Sequence, residues 1–202
     1  GKITARLIKT VTEPIDINIK CTLTGIPKER DTLGDEYIDS DKTGGTLMPC
    51  VYGTAFWQHK FNITKVVFEN TLTSHETSEE LIYDVSDSQD GSVMSYLVPN
   101  EEDITKYTLY VNSDGKILAN THSSLLFADF INLQEIEHIE YLDTSNVIDM
   151  REMFLYCRSL TNLDLSSFDT SNVTGMGGMF KYCSSLTTLD ISNFDTSKVT
   201  RM

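Results

Sequence analysis

The chain has 202 residues, of which 40% are hydrophobic and 23% charged, the balance of an ordinary globular protein with material for one domain or two small ones. Its net charge of −14 repels phosphate backbones and anionic lipid, which argues against nucleic-acid and membrane-surface roles. No apolar run approaches the roughly 18–20 residues that span a bilayer, and no signal peptide opens the chain; a Gly start reads as a fragment of a longer protein.

Residues 1–45 are expected to form a strand or hairpin followed by a polar loop. In "PIDINIKCTLTGIP", Ile15, Ile17, Ile19, Cys21 and Leu23 alternate with polar residues, the pattern of a half-buried strand. "ARLIKTVT" before it is a hairpin partner across Glu13-Pro14, and residues 27–45, "PKERDTLGDEYIDSDKTGG", read as loop. Cys21 and Cys50 are a pair that an oxidising compartment would allow to join; spacing alone leaves this open.

Residues 46–120 are rich in strand signals. "ITKVVFEN" is strand-like, "SVMSYLV" follows the turn-forming "DSQDG", and "YTLYVNSDGKILAN" reads as a hairpin closing at Ser113-Asp114-Gly115.

Residues 121–202 repeat themselves. Met150, Met176 and Met202 lie 26 apart, as do Cys157 and Cys183, or Leu163 and Leu189. An earlier degraded copy aligns Phe127 with Phe154, Leu133 with Leu160 and Ile136 with Leu163 at an offset of 27. The array is thus one degenerate, two full and one partial copy. Val173, Met176, Met179, Phe180 and Cys183 carry a helical spacing, matched by Val147, Met150, Met153, Phe154 and Cys157. Asp143, Asp169 and Asp195 stand where such a helix is capped. "SLTTLDIS" then alternates as a short strand, with Leu186, Leu189 and Ile191 inward. One unit is too short and too glycine-rich to stand alone, so copies must stack and share a core. The two thiols Cys157 and Cys183 then form a buried ladder.

A period of 20–29 residues with a strand and a helical turn is the leucine-rich-repeat pattern. The wording "FDTSNVTxMxxMFxxCxSLTxLDxS" resembles more specifically the repeat of BspA-like leucine-rich-repeat bacterial surface proteins. The resemblance is strong from residue 142 and extends upstream to about residue 52. It implies an α/β repeat fold: a right-handed solenoid with a parallel sheet along one face, a β-rich N-terminal cap, and further copies beyond Met202. It also implies an extracellular, cell-surface-associated protein used for adhesion or protein recognition, with no catalytic, cofactor or metal residues to carry over.

The residues offer little chemistry of their own. His59, His75, His122 and His138 are scattered, with no nucleophile signature near them. "DSDKTGG" places Cys50 where a calcium loop needs its bidentate Glu. The candidate binding face is the exposed side of the expected strands: Asn162, Asp164, Ser166, Thr188, Asp190 and Ser192. Trp57 and Tyr52 are candidate cap contacts, with core packing as the competing use. The expected partner is a host or neighbouring-cell surface protein or a matrix component. A purely structural stalk and a carbohydrate-binding cap are the alternatives. An uncapped end around Val199 and Met202 is expected to self-associate.

Overall fold

A computed structural model describes residues 43–51 and 53–202. The strand expected at 15–23, its hairpin partner, the loop as far as 42, Cys21 and Tyr52 lie outside the described residues.

Among the described residues eight strands follow in chain order: β1 (Thr43–Thr46), β2 (Ile63–Glu69), β3 (Ile82–Asp84), β4 (Val93–Pro99), β5 (Tyr107–Ser113), β6 (Lys116–Leu118), β7 (Glu135–Glu137) and β8 (Leu142–Asp143). They form a five-stranded sheet of order β3-β4-β5-β2-β7 and a three-stranded sheet of order β1-β6-β8. The first is mixed, with β3, β4 and β5 antiparallel while β2 runs parallel to both β5 and β7. A central strand flanked by parallel neighbours is covered on both faces, so it needs a near-continuous apolar run. Val66, Val67 and Phe68 of β2 supply it, all buried. The strands expected at "ITKVVFEN" and "SVMSYLV" are β2 and β4.

Two local expectations fail. Residues 43–45, read as loop, belong to β1, which pairs with β6. "YTLYVNSDGKILAN" is not a hairpin, because β5 and β6 enter different sheets. The turn exists, but the Gly115 N–H goes to the Asn70 carbonyl (2.9 Å). That bond redirects the chain away from β5.

The α/β leucine-rich-repeat solenoid expected from the period is not the fold. Among the described residues the regular structure is β-strand in two sheets, and the only helical pieces are three 3₁₀ turns, at Ala55–His59, Glu79–Leu81 and Ile139–Tyr141. In the two full copies neither the expected helix nor the expected strand forms. The reason lies in where the backbone N–H groups go. In a helix each bonds four residues back; here alternate ones bond to the next copy. Phe127, Asp129, Phe154 and Tyr156 donate to the carbonyls of Met153, Leu155, Met179 and Lys181, at 2.7–2.9 Å.

Between these bonds the chain makes successive three-residue steps. The N–H of Met153 reaches the Met150 carbonyl, and that of Cys157 reaches the Phe154 carbonyl. The third residue of each such turn has positive φ, as in type II turns: 56° at Glu152, 61° at Tyr156 and 68° at Gly178. A run of three-residue turns places the same side chains inward as a helix would. Val147, Met150, Met153, Phe154 and Cys157 are all buried accordingly. Gly178 is therefore not a weak point inside a helix; it occupies the turn position at which glycine costs least.

The copies lie in register, linked by parallel bridges from His122 to Asp149, Gly175 and Arg201. Phe127, Phe154 and Phe180 stack with centroids 5.3 and 5.8 Å apart. The repeated "DTS" has one task per residue. The Asp143 and Asp169 Oδ1 atoms accept the N–H of Ser145 and Ser171 (both 2.9 Å). Buried Thr144 takes the Asp169 N–H on its hydroxyl oxygen (2.9 Å) and donates to the Asp169 carbonyl (3.0 Å). Thr170 does the same for Asp195. The aspartates thus cap turns, not helices.

One apolar core runs from Leu47 to Met179 without a break at residue 120. β7 and β8 come from the first copy yet pair with β2 and β6. Trp57 lies at this junction, fully buried, and its indole Nε1 donates to the Leu126 carbonyl (2.8 Å).

Candidate functional site

The six residues expected to form a binding face are all exposed. Two rungs of it match atom for atom. Asp164 Oδ1 accepts the Ser166 N–H (3.0 Å), and Asp190 Oδ1 accepts the Ser192 N–H (2.9 Å). These backbone bonds hold both carboxyls below the usual carboxylate range, so both stay ionised at neutral pH. In the second copy, burial alternates as a strand would require, with Leu163 and Leu165 inside and Asn162, Asp164 and Ser166 outside. In the third copy, Leu186 and Leu189 are half-buried and Ile191 is exposed, so its expected inward position is not met.

A second ladder escaped the sequence reading. Tyr156 and Tyr182 stack at 4.5 Å with their rings 7° from parallel. Arg158 lies 5.1 Å from the Tyr156 ring, and Lys181 lies 5.1 Å from the Tyr182 ring. Tyr182 is 53% exposed. The signal was present, since these tyrosines hold the same repeat position, but the expected helix gave that position no particular side. The structure also shows a groove of about 630 Å³ where the cap strands meet the copies, lined among others by Asp87, Asn120, Asn146, Ile148 and Asn172.

Trp57 cannot serve as a cap contact. It is 0% exposed and its polar atom is engaged, so it is a core residue. Phe56 is buried beside it, with ring centroids 4.2 Å apart.

The histidines do not converge. His59 is 3.1 Å from the Tyr83 hydroxyl, and burial pushes its pKa down. His75 bonds Glu69 (2.9 Å) and stacks on Tyr110 (3.8 Å). His138 bonds Glu140 (3.2 Å), and His122 lies 3.1 Å from the Thr121 hydroxyl. Among the described residues no three His, Cys, Asp or Glu side chains gather as metal ligands. Cys50, Cys157 and Cys183 are free thiols. Burial raises all three, Cys50 to about 11. Cys157 and Cys183 donate to the carbonyls of Phe127 (3.2 Å) and Phe154 (3.1 Å), one copy back in each case.

Residues 121–202 match the model of a family described as Mycoplasma protein of unknown function, DUF285. No curated protein and no solved structure matches the chain.

Proposed function

We propose that the chain is a non-enzymatic recognition module of a bacterial cell-surface protein of the BspA-like kind, mediating adhesion or protein recognition outside the cell. The observation that carries this reading is the exposed aspartate ladder, in which Asp164 and Asp190 are presented by identical turns one copy apart. Stacked repeats are well suited to offering an extended surface in which each copy adds one more rung. The match of residues 121–202 to a Mycoplasma family and the wording of the repeat support the same reading. The partner is a surface protein of a host or neighbouring cell, or a matrix component. A carbohydrate site built on Trp57 has lost its support, because that ring is buried.

The test is binding of the soluble chain to immobilised matrix and cell-surface proteins. Saturable binding that weakens about tenfold or more in the Asp164→Lys/Asp190→Lys variant supports recognition. Absence of binding to every surface tried leaves a stalk and removes the adhesion reading.

A further inference from the structure

We propose that the aspartate ladder recognises a second copy of this chain, through the ladder formed by Tyr156 and Tyr182 with Arg158 and Lys181. The inference rests on the recognition reading and names the partner of that same surface.

The tyrosine ladder has the composition of a contact surface. Tyr and Arg are residue types that concentrate binding energy, and a cation lies against each ring, Arg158 on Tyr156 and Lys181 on Tyr182. Among the described residues neither Arg158 nor Lys181 has an ion pair, although the chain carries a net charge of −14. Two unpaired cations on an exposed aromatic strip of so acidic a protein call for an acidic partner.

The acidic partner must also fit in spacing. Tyr156 is related to Tyr182, and Asp164 to Asp190, by the same offset of 26 residues. Both ladders therefore advance by one copy per rung, and each ring carries its own cation, Arg158 two residues after Tyr156 and Lys181 one residue before Tyr182. When two molecules lie side by side with their stacks parallel, both rungs meet at once. An unrelated acidic protein has no reason to share that spacing; a second copy shares it by construction. The contact is heterologous, one face against a different face, so each molecule keeps a free ladder on either side and rows of molecules follow. Exposed ion pairs are individually weak and screened by salt, so the association is salt-sensitive and depends on both rungs together.

The test is sedimentation velocity on the 202-residue chain over a range of concentrations, at low and high salt. Concentration-dependent association that falls with salt is expected. Arg158→Glu/Lys181→Glu and Asp164→Lys/Asp190→Lys should each weaken it about tenfold or more. Asp164→Asn/Asp190→Asn, which retains an oxygen to accept the serine N–H groups, should weaken it too, which separates loss of charge from loss of fold. The two charge-reversed variants should each be monomeric alone and associate when mixed. A wild type that remains monomeric at high concentration and low salt overturns the proposal. So does association indifferent to these changes, as contact through the apolar end would give, or a mixture that fails to recover it. A chain that binds a foreign surface protein through Asp164 and Asp190 while staying monomeric loses this inference and keeps the recognition reading. One that self-associates as described yet binds no foreign protein does the reverse.

Discussion

Asp149 shows how a single side chain depends on its neighbours in the stack. It is 7% exposed, and its carboxylate receives the Arg151 backbone N–H (3.0 Å), Nε (2.9 and 3.1 Å) and Nη2 (2.6 Å). The next rung is Gly175, where a Cβ would come within 3.2 Å of both the Asp149 Oδ1 and the Arg151 Cγ. The missing side chain leaves room for the pair. Hydrogen bonding from Arg151 holds the Asp149 pKa below its ordinary value. A depressed folded pKa gives stability that is complete above the unfolded value, about 3.9, and is lost as pH falls through the lower folded value. Asp149→Asn is expected to lower stability at pH 7 by up to about 1 kcal/mol, modest because the Arg151 end is open to solvent. The variant should also flatten the stability curve below about pH 4. Urea melts across that range measure both; a variant as acid-sensitive as the wild type removes Asp149 from this role.

At the scale of elements, the start of the stack poses a hydrogen-bonding problem that Trp57 solves. Met153 and Met179 each accept an N–H from the copy before. Leu126 is their equivalent in the first copy, which has no copy before it. Its carbonyl is instead satisfied by the Trp57 indole (2.8 Å). Trp57→Phe keeps an aromatic ring but leaves that buried carbonyl without its donor, a change worth about 1–3 kcal/mol, readable as a lower urea midpoint with an unchanged m value. An unchanged midpoint means that the ring alone serves the junction. The same elements show what the sequence could reveal. The period, the inward set around Phe154 and the strands β2 and β4 were legible, because burial leaves its mark on residue type. Helix and successive turns were not distinguishable at Val173–Cys183, since both repeat at three and four residues and differ only in the destination of the N–H groups. The failed hairpin after β5 has a similar cause: the Gly115 N–H answers to Asn70, forty-five residues upstream. At the surface, the Asp164 and Asp190 rungs could be read from their alternation. The tyrosines share a repeat position, but the side they face could not be read, because Tyr156 and Tyr182 sit in left-handed turns, with φ of 61° and 65°, where a helix was expected.

Across the whole molecule the backbone ladder has a direction. In the turn segments each copy donates onward: Glu152, Phe154 and Tyr156 give their N–H groups to Gly177, Met179 and Lys181, whose carbonyls face back. The equivalent donors of the third copy, Gly178, Phe180 and Tyr182, have no acceptor among the described residues. Beside them Phe180, Phe194 and Val199 are only half-buried, and Met202 is 86% exposed. Protection from hydrogen exchange should therefore fall along the stack, not from its middle outward. The N–H groups of Phe154 and Tyr156 should exchange only on global unfolding, as should those of Phe127 and Asp129. Those of Phe180 and Tyr182, in the same positions of the next copy, should exchange at rates near those of an unstructured chain. Exchange followed residue by residue by NMR at low protein concentration tests this. Equal protection in both copies would mean that the donors at the far end have acceptors, and repeating the measurement on dilution would show whether another molecule supplies them.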